Sequence, residues 1–247
     1  MDFLEFFAIV ERDRDLLNPF SPEKLERIAG YADLQDGLRV LDIGSGKGAM
    51  LRAWAGRWAI TGTGLELNPA FVQEARERAQ REGVADRLTF VPGRALDFIP
   101  DPAGYDVATC LGATFALGGF TESLAWMRPL VRPGGVLIVG DVFLGQAASP
   151  DELEREGWKE LLTVAERHAQ IGAAGLEVVG FAASSMDDWD HYSSLMWAAV
   201  DDWAAQFPEH PDRTEVLEQV RAGQERYFRF ERAHLAWGVW VTRPATP

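Results

Sequence analysis

The stretch Gly44-Ser45-Gly46-Lys47-Gly48 constrains this chain most. It places three glycines within five positions, directly after the short apolar run Arg39-Val40-Leu41-Asp42-Ile43. A glycine turn of this kind lets the backbone approach a ligand where a side chain would clash. A helix at about 48–58 follows, with Met50, Leu51, Trp54 and Trp58 at helical spacing. The free N–H groups at its start attract a negatively charged or carboxylate group. About 20 residues after the turn a second apolar run ends in Glu66, whose carboxylate can accept both hydrogen bonds of a ribose diol. Turn and acid together point to a nucleoside-containing cofactor; the alternative is a tight turn that binds nothing.

The rest of the chain alternates in the same way. Strands are expected at 39–43, 60–67, 88–91, 106–111, 136–141, 176–181 and 235–242. Helices are expected at 3–17, 22–31, 48–58, 69–82, 121–130 and 151–172. Ser21-Pro22 and Asn68-Pro69 are capping pairs that open two of them. Strands alternating with helices mean βαβ units, hence an α/β fold with a mostly parallel sheet covered on both faces. Residues 184–234 are too long for a plain connection and read as a helical insertion broken at Pro208 and Pro211. If the sixth strand is parallel, the insertion starts on the ligand edge of the sheet, and it is expected to help cover the site. The resulting layout is one domain, with an N-terminal helical cap (1–35), a cofactor-binding core (36–183), the insertion (184–234) and a last strand and tail (235–247).

Composition removes several functions. Lys and Arg number 24 against 38 Asp and Glu, a net charge of −14. Nucleic-acid backbones and anionic membrane surfaces both require clustered positive charge, so neither is expected as a partner. No apolar run approaches the roughly 18 to 20 residues of a spanning helix. The N-terminus is acidic where a signal peptide would be basic. The single cysteine, Cys110, suits a reducing compartment. A cytoplasmic protein is expected.

The glycine spacing separates the candidate cofactors. A dinucleotide fingerprint would read Gly-x-Gly-x-x-Gly, and a phosphate-binding loop would follow its lysine with Ser or Thr; here Gly48 follows Lys47. The stretch from Val40 to Gly48 resembles motif I of class I S-adenosylmethionine-dependent methyltransferases. Gly64-Leu65-Glu66-Leu67 resembles their motif II, the run from Asp106 to Gly112 resembles motif IV, and Leu130-Val131-Arg132-Pro133-Gly134-Gly135 resembles the turn into the fifth strand. Asn18-Pro19-Phe20, Gly112-Ala113-Thr114 with Gly118-Gly119-Phe120, and Trp237-Gly238-Val239 are similar to a bacterial small-molecule branch, the YjhP-like methyltransferases.

The resemblance implies a Rossmann-like seven-stranded sheet with an antiparallel last strand, and S-adenosylmethionine as cofactor. It implies that Gly44, Ser45 and Gly46 line the methionine part, and that Asp42 orders the loop or reaches the amino group through water. Glu66 would bind the ribose, with Leu67 against the adenine. Cys110, Leu111, Gly112 and Ala113 would lie along the sulfonium side, and Phe20 and Ser21 would close over the cofactor. One position departs from the family. An acidic residue usually precedes the alanine after the third strand, to accept the adenine amino group. Arg94 stands there before Ala95, and arginine has no acceptor. That leaves Asp97 or the backbone to serve.

Methyl transfer is an in-line displacement, to which a protein contributes alignment and a dry cavity. A base is needed only if the acceptor must lose a proton. The candidates are Asp141, at the end of the fifth strand, and His191 with Tyr192 in the insertion; each has a plainer reading as a cap, a surface histidine or packing. No metal is expected. Catechol-type methyltransferases hold metal ligands where this chain has Cys110-Leu111-Gly112, and Asp187, Asp188, Asp190 and His191 read as a solvated helix start. Nine tryptophans, among them Trp189, Trp197 and Trp203 in the insertion, suggest a flat or cationic acceptor or, more plainly, glue between insertion and sheet. Exposed Phe and Trp there leave a homodimer open. Two rivals remain at this point: a nicotinamide-dependent oxidoreductase, and a nucleoside-binding protein without turnover.

Overall fold

A computed structural model describes residues 1–245. Residues 246–247, the end of the expected tail, lie outside the described residues. The apolar runs form one seven-stranded sheet: β1 (Arg39–Ile43), β2 (Thr61–Glu66), β3 (Leu88–Pro92), β4 (Tyr105–Leu111), β5 (Val131–Leu144), β6 (Leu176–Ala183) and β7 (Leu235–Pro244). Their order is β3-β2-β1-β4-β5-β7-β6. The pairs β3–β2, β2–β1, β1–β4 and β4–β5 are parallel. β7 is antiparallel to both β5 and β6, so β6 runs with the first five strands. The chain leaves β1 toward β2 on one side while β4 lies on the other. This reversal opens a crevice at the carboxyl ends of β1 and β4.

Strands buried on both faces must be apolar throughout. Val40, Leu41 and Ile43 in β1 and Leu137, Ile138 and Val139 in β5 are fully buried. Helices α2 (Pro22–Tyr31), α3 (Ala49–Arg57) and α4 (Pro69–Arg81) share one core layer, where Ile28, Trp54 and Val72 meet Val40 and Ile138. Helices α5 (Phe120–Met127) and α7 (Val164–Ala173) share the other, built around Leu41, Leu124, Met127 and Trp240. Trp240 sets its edge against Phe120 and Phe143, at 5.4 and 5.8 Å between ring centroids.

Two expected helices end differently. The first, α1, spans Phe3–Val10 rather than reaching residue 17. The buried Lys47 ammonium takes the carbonyls of Glu11 and Arg12 at 3.0 and 2.8 Å, the groups a continuing helix would have bonded to its own amides. The helix expected at 151–172 is two: α6 (Pro150–Arg155) and α7. Gly157 turns into the left-handed region at φ 82°, and Thr163 with Glu166 forms a capping box that starts α7 afresh.

Between β6 and β7 lie α8 (Met186–Gln206), α9 (Arg213–Arg226) and a π-helical turn, Tyr227–Glu231. The insertion has its own small core, in which Val200, Trp203, Val216 and Val220 meet Val10 of α1. Among the described residues no helix is long and apolar enough to cross a membrane.

Candidate active site

Above the carboxyl ends of β1, β2, β3 and β4 lies a cavity of about 540 Å³, in the usual range for small-ligand sites. Its floor is the glycine turn. Gly44 has φ 69° and Gly46 φ 53°, a region that L side chains avoid. A Cβ at Gly44 would stand 2.2 Å from the Ala113 Cβ, and one at Gly46 would stand 2.7 Å from Leu17. The amides of Gly44 and Ser45 both donate to the Leu65 carbonyl at 2.9 Å, which ties the turn to β2.

Two carboxylates bound this floor. Glu66, at the end of β2, accepts from the Gly46 amide at 2.9 Å and the Asn68 amide at 2.7 Å. Burial raises its pKa, and those backbone donors oppose the shift. Asp42, in β1, is almost wholly buried and accepts from the Thr109 hydroxyl at 2.6 Å. Burial pushes its pKa up to about 7, with the Glu66 charge adding to the rise and Thr109 opposing it.

The side walls come from the ends of β3 (Gly93, Arg94, Ala95) and β4 (Leu111, Gly112, Ala113), followed by Phe115 and Ala116. The roof comes from three places: Phe3, Leu4 and Phe7 of α1, residues 15–18, and Tyr192 of α8. An ionic lattice holds it down. Lys47 also pairs with Glu74 at 3.2 Å, and Arg52 bridges Asp15 and Glu82. Arg14 pairs with Glu11 at 2.6 Å, donates to the Tyr192 carbonyl, and lies 3.4 Å above the Tyr192 ring centroid.

The structure gathers Asp42, Gly44, Ser45, Gly46, Glu66, Leu67, Arg94, Ala95, Leu111 and Gly112 around this one cavity, with Tyr192 across from them. It does not bring Phe20 or Cys110 there. Phe20 is buried against Trp237, at 5.2 Å between centroids. Cys110 points into the core, where burial holds its thiol far above the usual range. Asp97 is exposed and off the cavity, so of the adenine-side candidates only the stretch 93–95 lines it.

Two of the three expected bases also stand apart. Asp141 is occupied with the Thr114 hydroxyl and the Val142 amide, both at 2.8 Å. His191 is exposed on α8, away from the cavity. Tyr192 lines the cavity, yet burial pushes its phenol well above the ordinary tyrosine range, the opposite of what a base needs. Asp188 caps α8 and pairs with Lys24, while Asp190 pairs with Arg232.

Among the described residues, no tryptophan lines the cavity. Trp203 is core of the insertion, Trp197 packs on Tyr227 and Phe228, and Trp189 joins the insertion to the sheet core. These three tryptophans are packing residues. Sequence reasoning named a helical cap at 1–35 but not the residues that line the cavity from it, Phe3, Leu4, Phe7, Glu11 and Asn18.

The site fits S-adenosylmethionine on its own evidence. The glycine floor is a cradle that admits no side chain, and Glu66 stands beside it with only two backbone donors on its carboxylate. A family model described as "Methyltransferase domain" matches residues 40–135. An S-adenosylmethionine-dependent methyltransferase from Geobacter sulfurreducens, solved with S-adenosylhomocysteine, superposes with a TM-score of 0.92 at 33% identity, covering 97% of this chain and 98% of that one. YjhP of Escherichia coli K12 is 29% identical over 245 residues, 98% of each chain. Erythromycin 3''-O-methyltransferase of Saccharopolyspora erythraea is 28% identical over 194 residues, 71% of this chain and 63% of that one.

Proposed function

The chain belongs to the S-adenosylmethionine-dependent methyltransferases, and from that premise we propose that it methylates a small molecule bound beneath α1. The observation that carries this reading is the cavity, in which the cofactor floor faces a roof made largely of apolar side chains, among them Phe3, Leu4, Phe7 and Leu17. The full-length likeness to a methyltransferase and the partial likeness to a macrolide O-methyltransferase support it. A net charge of −14 speaks against a nucleic-acid acceptor.

The residues divide by what they can hold. Glu66 binds the ribose hydroxyls with the lone pairs its two backbone donors leave free. Gly44, Ser45 and Gly46 carry the methionine arm, and Asp42 offsets its ammonium group. Leu67 and Ala95 flank the adenine, whose amino group is met by backbone at 93–95 in place of the missing acid. Leu111, Gly112 and Ala113 form the wall beside the sulfur.

S-adenosylmethionine, when bound, supplies a methyl carbon activated by an adjacent positive sulfur. The protein contributes alignment of the acceptor and exclusion of water, through Phe7, Leu17 and the residues after β4. The chain acts as a single catalytic unit, in which α1, the segment 11–18 and Tyr192 of α8 form the roof over the sheet edge that carries the cofactor.

Calorimetric titration with S-adenosylhomocysteine tests the assignment. Glu66→Ala deletes charge-assisted hydrogen bonds and is expected to weaken binding by at least about 1.5 kcal/mol, roughly tenfold. Unchanged affinity in that variant would remove Glu66 from the site.

A further inference from the structure

The wall after β4 is placed by a carboxylate that does not reach the cavity. Gly112, Ala113, Phe115 and Ala116 line the cavity, while Thr114, in their midst, turns away from it. The Thr114 hydroxyl donates to the Asp141 carboxylate at 2.8 Å. One residue earlier on β5, the Gly140 carbonyl takes the Gly112 amide at 2.9 Å. Ala113 therefore stands between two bonds to consecutive residues of β5. It also touches the glycine floor, since a Cβ at Gly44 would fall 2.2 Å from the Ala113 Cβ. Wall and floor meet here, and a displacement of about 1 Å at such a place is enough to spoil alignment. The Thr114 carbonyl accepts from the Gly119 amide at 3.0 Å and the Ser123 hydroxyl at 3.3 Å, which ties the turn to α5 rather than to the sheet.

Asp141 is itself held in place. Its other oxygen takes the Val142 amide at 2.8 Å, and Arg167 of α7 brings its guanidinium to 3.8 Å. The Arg167 side chain is only 13% exposed and lies 4.7 Å above the Phe120 ring centroid. Burial penalises its charge, and Asp141 opposes that penalty. The surrounding layer of Leu124, Phe143 and Trp240 is apolar. A charge pair in such a layer adds little net stability, because desolvation offsets the attraction, and apolar residues of similar size often hold a fold as well. What the pair does supply is a fixed, directional acceptor for Thr114.

We infer that Asp141, set by Arg167, is a positioning residue for the sulfur end of the cofactor, acting through Thr114 on the wall 112–116. It touches no ligand and serves as no base. The inference rests on the methyltransferase reading, in which this wall flanks the sulfur, and adds to it the group that sets the wall.

The experiment uses the full chain and two ligands. S-adenosylhomocysteine reaches the wall; adenosine shares the nucleoside and ends before the sulfur. Calorimetry measures the first affinity and ligand-observed NMR the second. Failure of S-adenosylhomocysteine to bind the unaltered protein would strike the cofactor reading itself, and is read first. Thr114→Val keeps the shape of the side chain and removes its hydroxyl. It should weaken S-adenosylhomocysteine by about three- to tenfold, the upper figure being the worth of one hydrogen bond to a carboxylate. Adenosine should stay within about twofold, because its contacts lie away from the wall, whereas a general loss of fold would weaken both ligands alike. Thr114→Ser, which keeps the hydroxyl, should recover the affinity for S-adenosylhomocysteine. Asp141→Ala should lower the same ratio of affinities, and combining it with Thr114→Val should lower the ratio no further, since both remove one bond. An unchanged ratio in Thr114→Val, equal losses for the two ligands, no recovery in Thr114→Ser, or losses that multiply in the double variant would each overturn the inference.

Discussion

Asp42 makes cofactor binding depend on pH in a direction the site dictates. The ligand-free protein holds this carboxyl at about 7, because burial penalises its charge. The ammonium of the methionine arm favours the ionised form, so binding must drive off a proton wherever Asp42 is protonated. The ionised fraction falls from about nine-tenths at pH 8 to about one-tenth at pH 6, so the association constant for S-adenosylhomocysteine should fall about tenfold, or about 1.4 kcal/mol. The assay is isothermal titration at both pH values, each in two buffers of different ionisation enthalpy, which counts protons released. Close to one proton should leave at pH 6 and almost none at pH 8. Glu66 also has a raised pKa and faces Asp42, so Asp42→Asn is the control that isolates the group. That variant keeps an acceptor for Thr109 and should bind more weakly at pH 8 with a flattened pH profile. A profile equally steep in Asp42→Asn, or no proton release at pH 6, would refute the reasoning.

Other consequences come from the same geometry. The raised Asp42 pKa costs the ligand-free fold stability progressively as pH rises from 3.8 to about 7; Asp42→Asn should therefore melt above the unaltered protein at pH 8 and show no such advantage near pH 3.5, as read by calorimetry. Gly44→Ala forces a Cβ to 2.2 Å from Ala113 at a positive φ, and should cost about 2 kcal/mol or more by urea titration while abolishing S-adenosylhomocysteine binding. Trp240→Ala empties a buried aromatic contact set, and should destabilise the fold by about 3–5 kcal/mol. Lys47→Met removes the ammonium that anchors residues 11 and 12; limited proteolysis should then cut the segment 11–20 faster than in the unaltered protein, with S-adenosylhomocysteine giving only partial protection.

The features legible in the sequence were local in the chain. The glycine turn and Glu66 announce themselves because a parallel sheet puts every such strand end on one edge, and periodicity alone gives that sheet; the strand-end residues 111–112 came from the resemblance of 106–112 to a methyltransferase motif. Phe20 and Cys110 lie next to residues of the cavity wall yet turn inward, since a strand alternates its faces and Phe20 finds Trp237. Asp141 sits at the right strand end, but its hydrogen-bonding capacity is taken up by Thr114 and Val142. A helical cap and a covering insertion were expected, but which residues form the roof was not legible. The segment 11–18 has no period of its own, and its path is set by Lys47, Arg52 and Tyr192, each far away in sequence. Lys47 in particular carried no assigned role in the sequence once Gly48 excluded a phosphate-binding loop, and its ammonium stops α1 and tethers residues 11 and 12.

A crystal structure of this protein with S-adenosylhomocysteine tests the central claim most directly. The account predicts the ribose hydroxyls on the Glu66 carboxylate, the methionine arm over Gly44–Gly46, and the sulfur beside Leu111–Ala113 under the α1 roof. Nucleoside density elsewhere on the molecule, or a ribose out of reach of Glu66, would contradict it.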